Sequence, residues 1–340
     1  MKPNMRHVFL LSALGFLFAF YAHAEQVEPL QFIAAPETPG PREQVMIEAQ
    51  GIGNFLGNAD IIWSVDGKAV KRGMGERTFI FTTGALGERT SVRVTIDSET
   101  QGFFSRTFTF TPSLVNLVWE ADTTVPPLYR GKALYSAGSP LKVVAFPTVY
   151  SGSSRVAPSA LSYQWERGGE SVPEASGLGR YGFSFSGDQL KNAETVGVDV
   201  YYGNTKAARG EITISAAEPQ VLFYERDPLR GILYEKALPA AISLAGREIT
   251  LKAEPFYFSS TAKNSGALAY AWMLDGNEVS GPDSASGLLT LRQSGEGRGQ
   301  GELSVSLQNQ NPDMFVQAAQ NALQIVFGES SNTLSSFFGL

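Results

Sequence analysis

The 340-residue sequence contains no cysteine, and its two histidines, His7 and His23, both fall within the first 24 positions. The absence of cysteine excludes disulfides and thiolate nucleophiles. Stability must therefore come from burial, which units of roughly 100 residues can supply. Beyond position 24 there is no imidazole, so a Ser-His-Asp or Cys-His arrangement cannot be assembled there. Zinc and redox metals lose their usual ligands as well. Calcium needs only oxygens, but no D-x-D-x-D-G run is present, and no cofactor is expected. Positive charge is also scarce. The formal net charge is −6 and becomes −8 without residues 1–24, since Lys2 and Arg6 go and no acid does. An acidic balance without a basic stripe argues against nucleic acid and against electrostatic docking to a membrane.

One long apolar run is present, VFLLSALGFLFAFY, fourteen residues after the basic start MKPNMRH and before Ala22-His23-Ala24. A basic start, an apolar core and a small-x-small site predict a secretory signal peptide over 1–24, cleaved after Ala24. The run is short of the about 20 residues that a spanning helix needs. Membrane attachment would arise only if this segment stayed as an uncleaved anchor. The expected location is outside the cytoplasm: extracellular, at the cell surface or periplasmic.

What the chain has instead is a repeated tryptophan. Trp63, Trp165 and Trp272 are 102 and 107 residues apart. Each ends a short apolar strand and is followed by a turn pair: Asp66-Gly67, Gly168-Gly169 and Asp275-Gly276. Such pairs supply the positive φ angles of tight hairpins. Next come Gly73/Gly75 with Phe79/Phe81, then Gly177/Gly179 with Phe183/Phe185, then Leu289/Leu291 in the third copy. An alternating strand follows, Val92/Val94/Ile96, Val196/Val198/Val200 and Leu303/Val305/Leu307. Its middle residue lies 31, 33 and 33 positions beyond the tryptophan. Closing strands end at Phe108/Phe110, Ile212/Ile214 and Leu323/Ile325. A fixed order of elements at one period is an internal repeat.

A tryptophan on a middle strand among short alternating strands resembles the immunoglobulin-like β-sandwich. The W-x-x-D-G step looks most like its PKD-type bacterial variants. The resemblance implies an all-β fold of three tandem sandwiches. It also implies the role such modules have on secreted bacterial proteins, as spacers and adhesive or partner-binding units. The expected boundaries are 25–112, 113–216 and 217–328, with a tail at 329–340. No long linker separates the units, so the array should be semi-rigid.

Two stretches repeat only in the second and third units, LVWEADTTVPPLYRGKAL and LFYERDPLRGILYEKAL. These Pro-containing excursions predict interdomain clamps. The first offers Trp119, Glu120, Asp122, Tyr129 and Lys132; the second offers Tyr224, Glu225, Asp227, Tyr234 and Lys236. Their acids either pair with Arg130, Lys132, Arg226, Arg230 and Lys236 or hold calcium at a junction. Aromatics near the tryptophan strands, Phe55, Tyr150, Phe256 and Tyr257, fall at sandwich ends where this fold carries binding residues. They either contact a glycan or protein partner or fill domain interfaces. Phe103 should point outward, because Phe104 shares a face with Phe108 and Phe110. In the tail, Phe337, Phe338 and Leu340 could dock in an apolar groove of a partner. Ser260-Thr261-Ala262-Lys263 spells S-x-x-K, a penicillin-binding motif, but is expected to be a loop. Gly295–Gly301 is glycine-rich and reads as an inter-strand loop or an anion nest.

These features favour a non-catalytic exported spacer that engages an envelope protein or glycan, with no nucleic-acid partner. Oligomeric state is left open by the sequence. The alternative is a carbohydrate-targeting subunit or cell-wall hydrolase of the envelope.

Overall fold

The computed structural model describes residues 30–244, 248–294, 298–314 and 316–327. The signal segment and the tail residues Phe337, Phe338 and Leu340 lie outside the described residues. So do residues 295–297 of the glycine-rich stretch.

The chain is all-β, three sandwiches in tandem, each with its own core between two sheets. In the first, one sheet orders Leu30–Ala35, Gln44–Gly51 and Thr78–Thr82. The facing sheet orders Lys68–Met74, Asp60–Val65, Thr90–Ser98 and Gly102–Phe110. The second repeats this arrangement. Gly182–Ser186, Pro140–Thr148 and Leu114–Ala121 face Glu170–Ser171, Ser162–Arg167, Ala193–Tyr202 and Thr205–Ser215. The third does so again and adds a short strand, Ala241–Ser243, parallel to Ala318–Phe327. Alternation of apolar and polar residues sets one face of each strand inward.

The three tryptophans are core centres. Trp63, Trp165 and Trp272 are 0%, 0% and 1% exposed. Each rests against a phenylalanine: Phe79 at 5.3 Å, Phe183 at 5.1 Å and Phe223 at 6.0 Å between ring centroids. A buried indole N–H must find an acceptor. All three find one in the same place, on the crossover between the sheets. The Nε1–H donates to the carbonyl of Glu76 (2.8 Å), Arg180 (2.9 Å) or Ser284 (3.2 Å). The turns after them also agree, with both residues at positive φ: 48° and 82°, 58° and 86°, 50° and 76°. That is the type I′ geometry that matches strand twist. Asp66 and Asp275 add a side-chain acceptor for the N–H of Ser91 and Glu302, both at 2.8 Å.

One local expectation is corrected. Ser260–Ser265 is a short α-helix and not a loop. Gly266, at φ 76°, ends it in the left-handed conformation that suits glycine. Lys263 reaches the buried carboxylate of Glu254, which also accepts from the Tyr234 hydroxyl at 3.3 Å. The helix is pinned structurally, and its S-x-x-K spelling has a packing role.

The second sandwich carries a buried ion pair. Glu194 is 2% exposed and accepts two bonds from Arg167, at 2.9 and 2.8 Å, and one from the Asp188 N–H at 2.5 Å. Burial alone would raise its carboxyl pKa. The Arg167 and Asp188 bonds outweigh burial and hold it below its ordinary 4.5. A depressed carboxyl contributes stability that is present above its unfolded value and lost as pH falls through the folded one. Glu194→Gln should therefore destabilise most near neutrality, by roughly 2–4 kcal/mol with allowance for the partly exposed Arg167. The gap to wild type should narrow below about pH 4. Urea unfolding at a series of pH values measures it; a gap independent of pH would contradict the assignment.

Candidate partner-binding surfaces

The excursion of the second sandwich reaches forward onto the third. Its centre is Thr124, 5% exposed. The Thr124 N–H donates to the Phe258 carbonyl (2.7 Å), and its carbonyl accepts from the Tyr257 N–H (2.8 Å). Its hydroxyl donates to the Pro255 carbonyl (3.1 Å) and accepts from the Phe258 N–H (3.2 Å). Four bonds from one residue thus cross from one sandwich to the next. Thr123 and Ser259 form an isolated antiparallel bridge beside it. A second pin stands nearby. Gln317, 1% exposed, donates to Ser136 Oγ (2.8 Å) and the Ala137 carbonyl (3.3 Å), and accepts from Ser259 N–H and Asn309 Nδ2, each at 3.0 Å.

An aromatic cluster seals the junction. Tyr224, Phe256 and Tyr257 are buried, with Val125 and Leu134 of one sandwich and Ile232 and Tyr234 of the other packed on them. Tyr129 meets Phe256 edge-on at 5.7 Å, and its hydroxyl is 3.0 Å from that of Tyr257. Burial, then the Tyr129 bond, push the Tyr257 phenol up to about 12. Burial and the charge of Glu254 do the same for Tyr234. Both stay neutral donors at pH 7. Tyr257 also holds φ at 62°, a costly conformation for a bulky side chain. The surrounding bonds hold it there.

This geometry corrects part of the sequence reading. Phe256 and Tyr257 are not outward partner contacts; they are 6% and 8% exposed inside the junction. Their loop is the surface that Thr124 grips. Of the clamp residues, Tyr129, Tyr224 and Tyr234 lie at the junction, Tyr224 against Tyr234 at 5.4 Å. Asp122 contributes only its carbonyl, which accepts from Ser260 N–H at 3.3 Å. Trp119 and Lys132 stay on their own sandwich, with the ammonium 3.0 Å from the indole centroid. Burial lowers the Lys132 pKa, and Glu120 partly opposes this. Glu225 is half-buried and Lys236 exposed. Asp227 caps its own turn, accepting from Leu229 and Arg230 N–H at 2.8 Å, with the Arg230 guanidinium 3.7 Å away. Among the described residues, no group of three or more acids gathers as a metal site.

The first junction is built differently. Tyr150 lies over Gly87, where a Cβ would sit 2.7 Å from the ring. Gly87 also holds φ at 78°, so both the close approach and the backbone require glycine. Lys206 of the second sandwich faces Glu37 of the first at 3.8 Å and is tied to Asp199 at 2.8 Å. Between them opens a cleft of about 360 Å³, lined by Tyr150, Tyr202, Lys206, Glu37, Thr109 and Ser113 among others. Tyr202 is 45% exposed. Sequence reading found Tyr150 but missed Tyr202, which sits at the end of a strand and carries no loop signal. At the far end, Phe55 is half-buried on Phe104 (6.3 Å), and Phe103 points outward at 68% exposure.

No family model matches this sequence, and neither does any curated protein. Solved structures do resemble the chain. Three N-terminal domains of the bacteriophage RB49 highly immunogenic outer capsid protein are 12% identical over 88% of this chain and 97% of that one, with TM-score 0.25. The central fibronectin-III array of RIM-binding protein is 13% identical over 89% and 98%, with TM-score 0.29. A Bacteroides ovatus protein, SGBP-B of a mixed-linkage glucan utilization locus, solved with a mixed-linkage heptasaccharide, is 9% identical over 87% and 70%, with TM-score 0.22. At such identities the sandwich assignment rests on the chain's own sheets and cores.

Proposed function

We propose that the chain is an exported, non-catalytic spacer of the bacterial envelope that presents a partner-binding cleft on a stiffened arm. The observation behind this reading is the contrast between its two junctions. The second is closed by main-chain bonds, Gln317 and buried tyrosines, which suits a rigid arm. The first leaves an open cleft with two tyrosines, hydroxyls and an ion pair. Pockets at domain interfaces that combine aromatic faces with a few polar groups suit ligands. A glycan or an extended protein loop fits this chemistry, since tyrosine rings stack on apolar faces while hydroxyls bond to polar edges. The buried acids Glu194 and Asp199 are paired, the first with Arg167 and the second with Lys206 and Arg209.

Immobilised protein should retain a component of an envelope extract, and Tyr150→Ala with Tyr202→Ala should cut retention at least tenfold, as expected for aromatic anchors (~1.4 kcal/mol or more). Protease treatment of the extract separates a protein partner from a glycan. Equal retention by the double variant would place the partner elsewhere.

A further inference from the structure

The second sandwich has an open side that none of its own segments closes. Gly182–Ser186 is the last strand of its sheet and, among the described residues, is paired only with Pro140–Thr148. Flanking bonds fix which of its main-chain groups face inward. The Tyr181 carbonyl accepts from Ala145, and the Gly187 N–H donates to Ser139. In an antiparallel ladder the residues in step with these, Phe183 and Phe185, bond to the neighbouring strand. Gly182, Ser184 and Ser186 then turn their N–H and C=O groups to the free edge. All three are exposed and have small side chains. No lysine, proline or bulge blunts this edge, the devices by which proteins normally protect one.

Beside the edge runs a groove of about 440 Å³. Phe183 and Phe185, stacked at 5.2 Å, form its apolar floor with Val172 and Ala175. Arg167 covers Phe185 at 4.3 Å and is neutralised by Glu194. Glu170 and Glu174 stand on the rim, and among the described residues neither has a cation within 4 Å. The one other rim charge, Arg180, donates to the Glu174 carbonyl at 2.5 Å. The rim therefore carries two carboxylates with no cation in reach against one guanidinium.

We propose that this edge and groove bind an extended peptide segment of another protein by strand addition. The segment carries apolar residues at alternate positions and a basic residue at the next position of that same face. Its main chain pairs with Gly182, Ser184 and Ser186, which gives affinity. Its apolar side chains lie on Phe183 and Phe185, and its basic residue meets Glu170 and Glu174, which give specificity. The other two sandwiches offer less at the corresponding strand. Thr78–Thr82 exposes Ile80, and Leu288–Arg292 is spanned by the Arg292–Glu248 pair.

The test is titration of the full chain with a synthetic capped heptapeptide, TVTVTKT, whose valines and lysine share one face, followed by fluorescence of a label on the peptide. Binding in the micromolar to sub-millimolar range is expected, as for a short added strand (roughly 1–500 μM). Ser184→Pro removes an N–H that the sandwich does not use, and proline is tolerated on edge strands. It should weaken binding at least tenfold while the unfolding midpoint is kept. Should that variant unfold, Glu170→Lys with Glu174→Lys, both on exposed positions, serves as the second arm and should weaken binding about three- to tenfold. A peptide with central proline should not bind, and one with glutamate for lysine should bind more weakly. Absence of wild-type binding up to about 1 mM, or equal binding by the proline peptide or by both protein variants, would overturn the proposal.

Discussion

Replacing Trp165 by alanine is expected to cost the second sandwich about 3–5 kcal/mol, the range for truncating a large buried aromatic. Three losses coincide. The indole is fully buried at the centre of the core. It packs on Phe183, and that contact disappears. The Arg180 carbonyl loses its donor, which leaves a polar group to find water. A loss this large approaches the whole stability of a domain of this size. Chemical denaturation monitored by circular dichroism should show it, and Trp63→Ala and Trp272→Ala should behave alike in their own sandwiches. A cost under about 1 kcal/mol would mean that the repeat is not built around these residues.

Substituting Thr124 by proline should separate the second and third sandwiches. Proline removes the N–H that bonds to Phe258 and the hydroxyl that bonds to Pro255 and Phe258. Three buried groups lose their partner, the Phe258 and Pro255 carbonyls and the Phe258 N–H; at about 1–3 kcal/mol each, the junction should lose roughly 3–9 kcal/mol in all. The cores lie elsewhere and should persist. In calorimetry, a transition shared by the two sandwiches in the wild type should split into two. Thr124→Ala keeps the main-chain pair and should give an intermediate effect. An unchanged transition in the proline variant would contradict the role given to this residue.

The repeat was legible in the sequence because its signals are local. A tryptophan, a turn pair with forced positive φ, and strands of period two each report their own neighbourhood. The type I′ turns at Asp66-Gly67, Gly168-Gly169 and Asp275-Gly276 follow from residue type alone. The junction was legible only in outline. The excursions repeat visibly, and Tyr129, Tyr224 and Tyr234 all lie at it, Tyr129 crossing to Phe256 and Tyr257. Their partners were not readable, since contacts such as Thr124 with Phe258 span more than 130 residues. A threonine or glutamine in a loop carries no mark of burial, so Thr124 and Gln317 were missed. Phe256 and Tyr257 illustrate the converse. Exposed loop aromatics and interface aromatics look identical in sequence, and only the docking of the next domain distinguishes them. The helix at Ser260–Ser265 was missed for a similar reason: it is too short for periodicity and depends on the tertiary contact between Lys263 and Glu254.

The central claim, that the second and third sandwiches form one stiff arm, is open to a direct distance measurement. The absence of cysteine lets single spin-label pairs be placed without background. Glu170 and Asn277 are exposed, at corresponding hairpin positions of the two sandwiches. Cysteines introduced there and read by double electron–electron resonance should give one narrow distance distribution, which broadens on addition of Thr124→Pro. A broad or multi-peaked distribution already present with Thr124 intact would contradict the account.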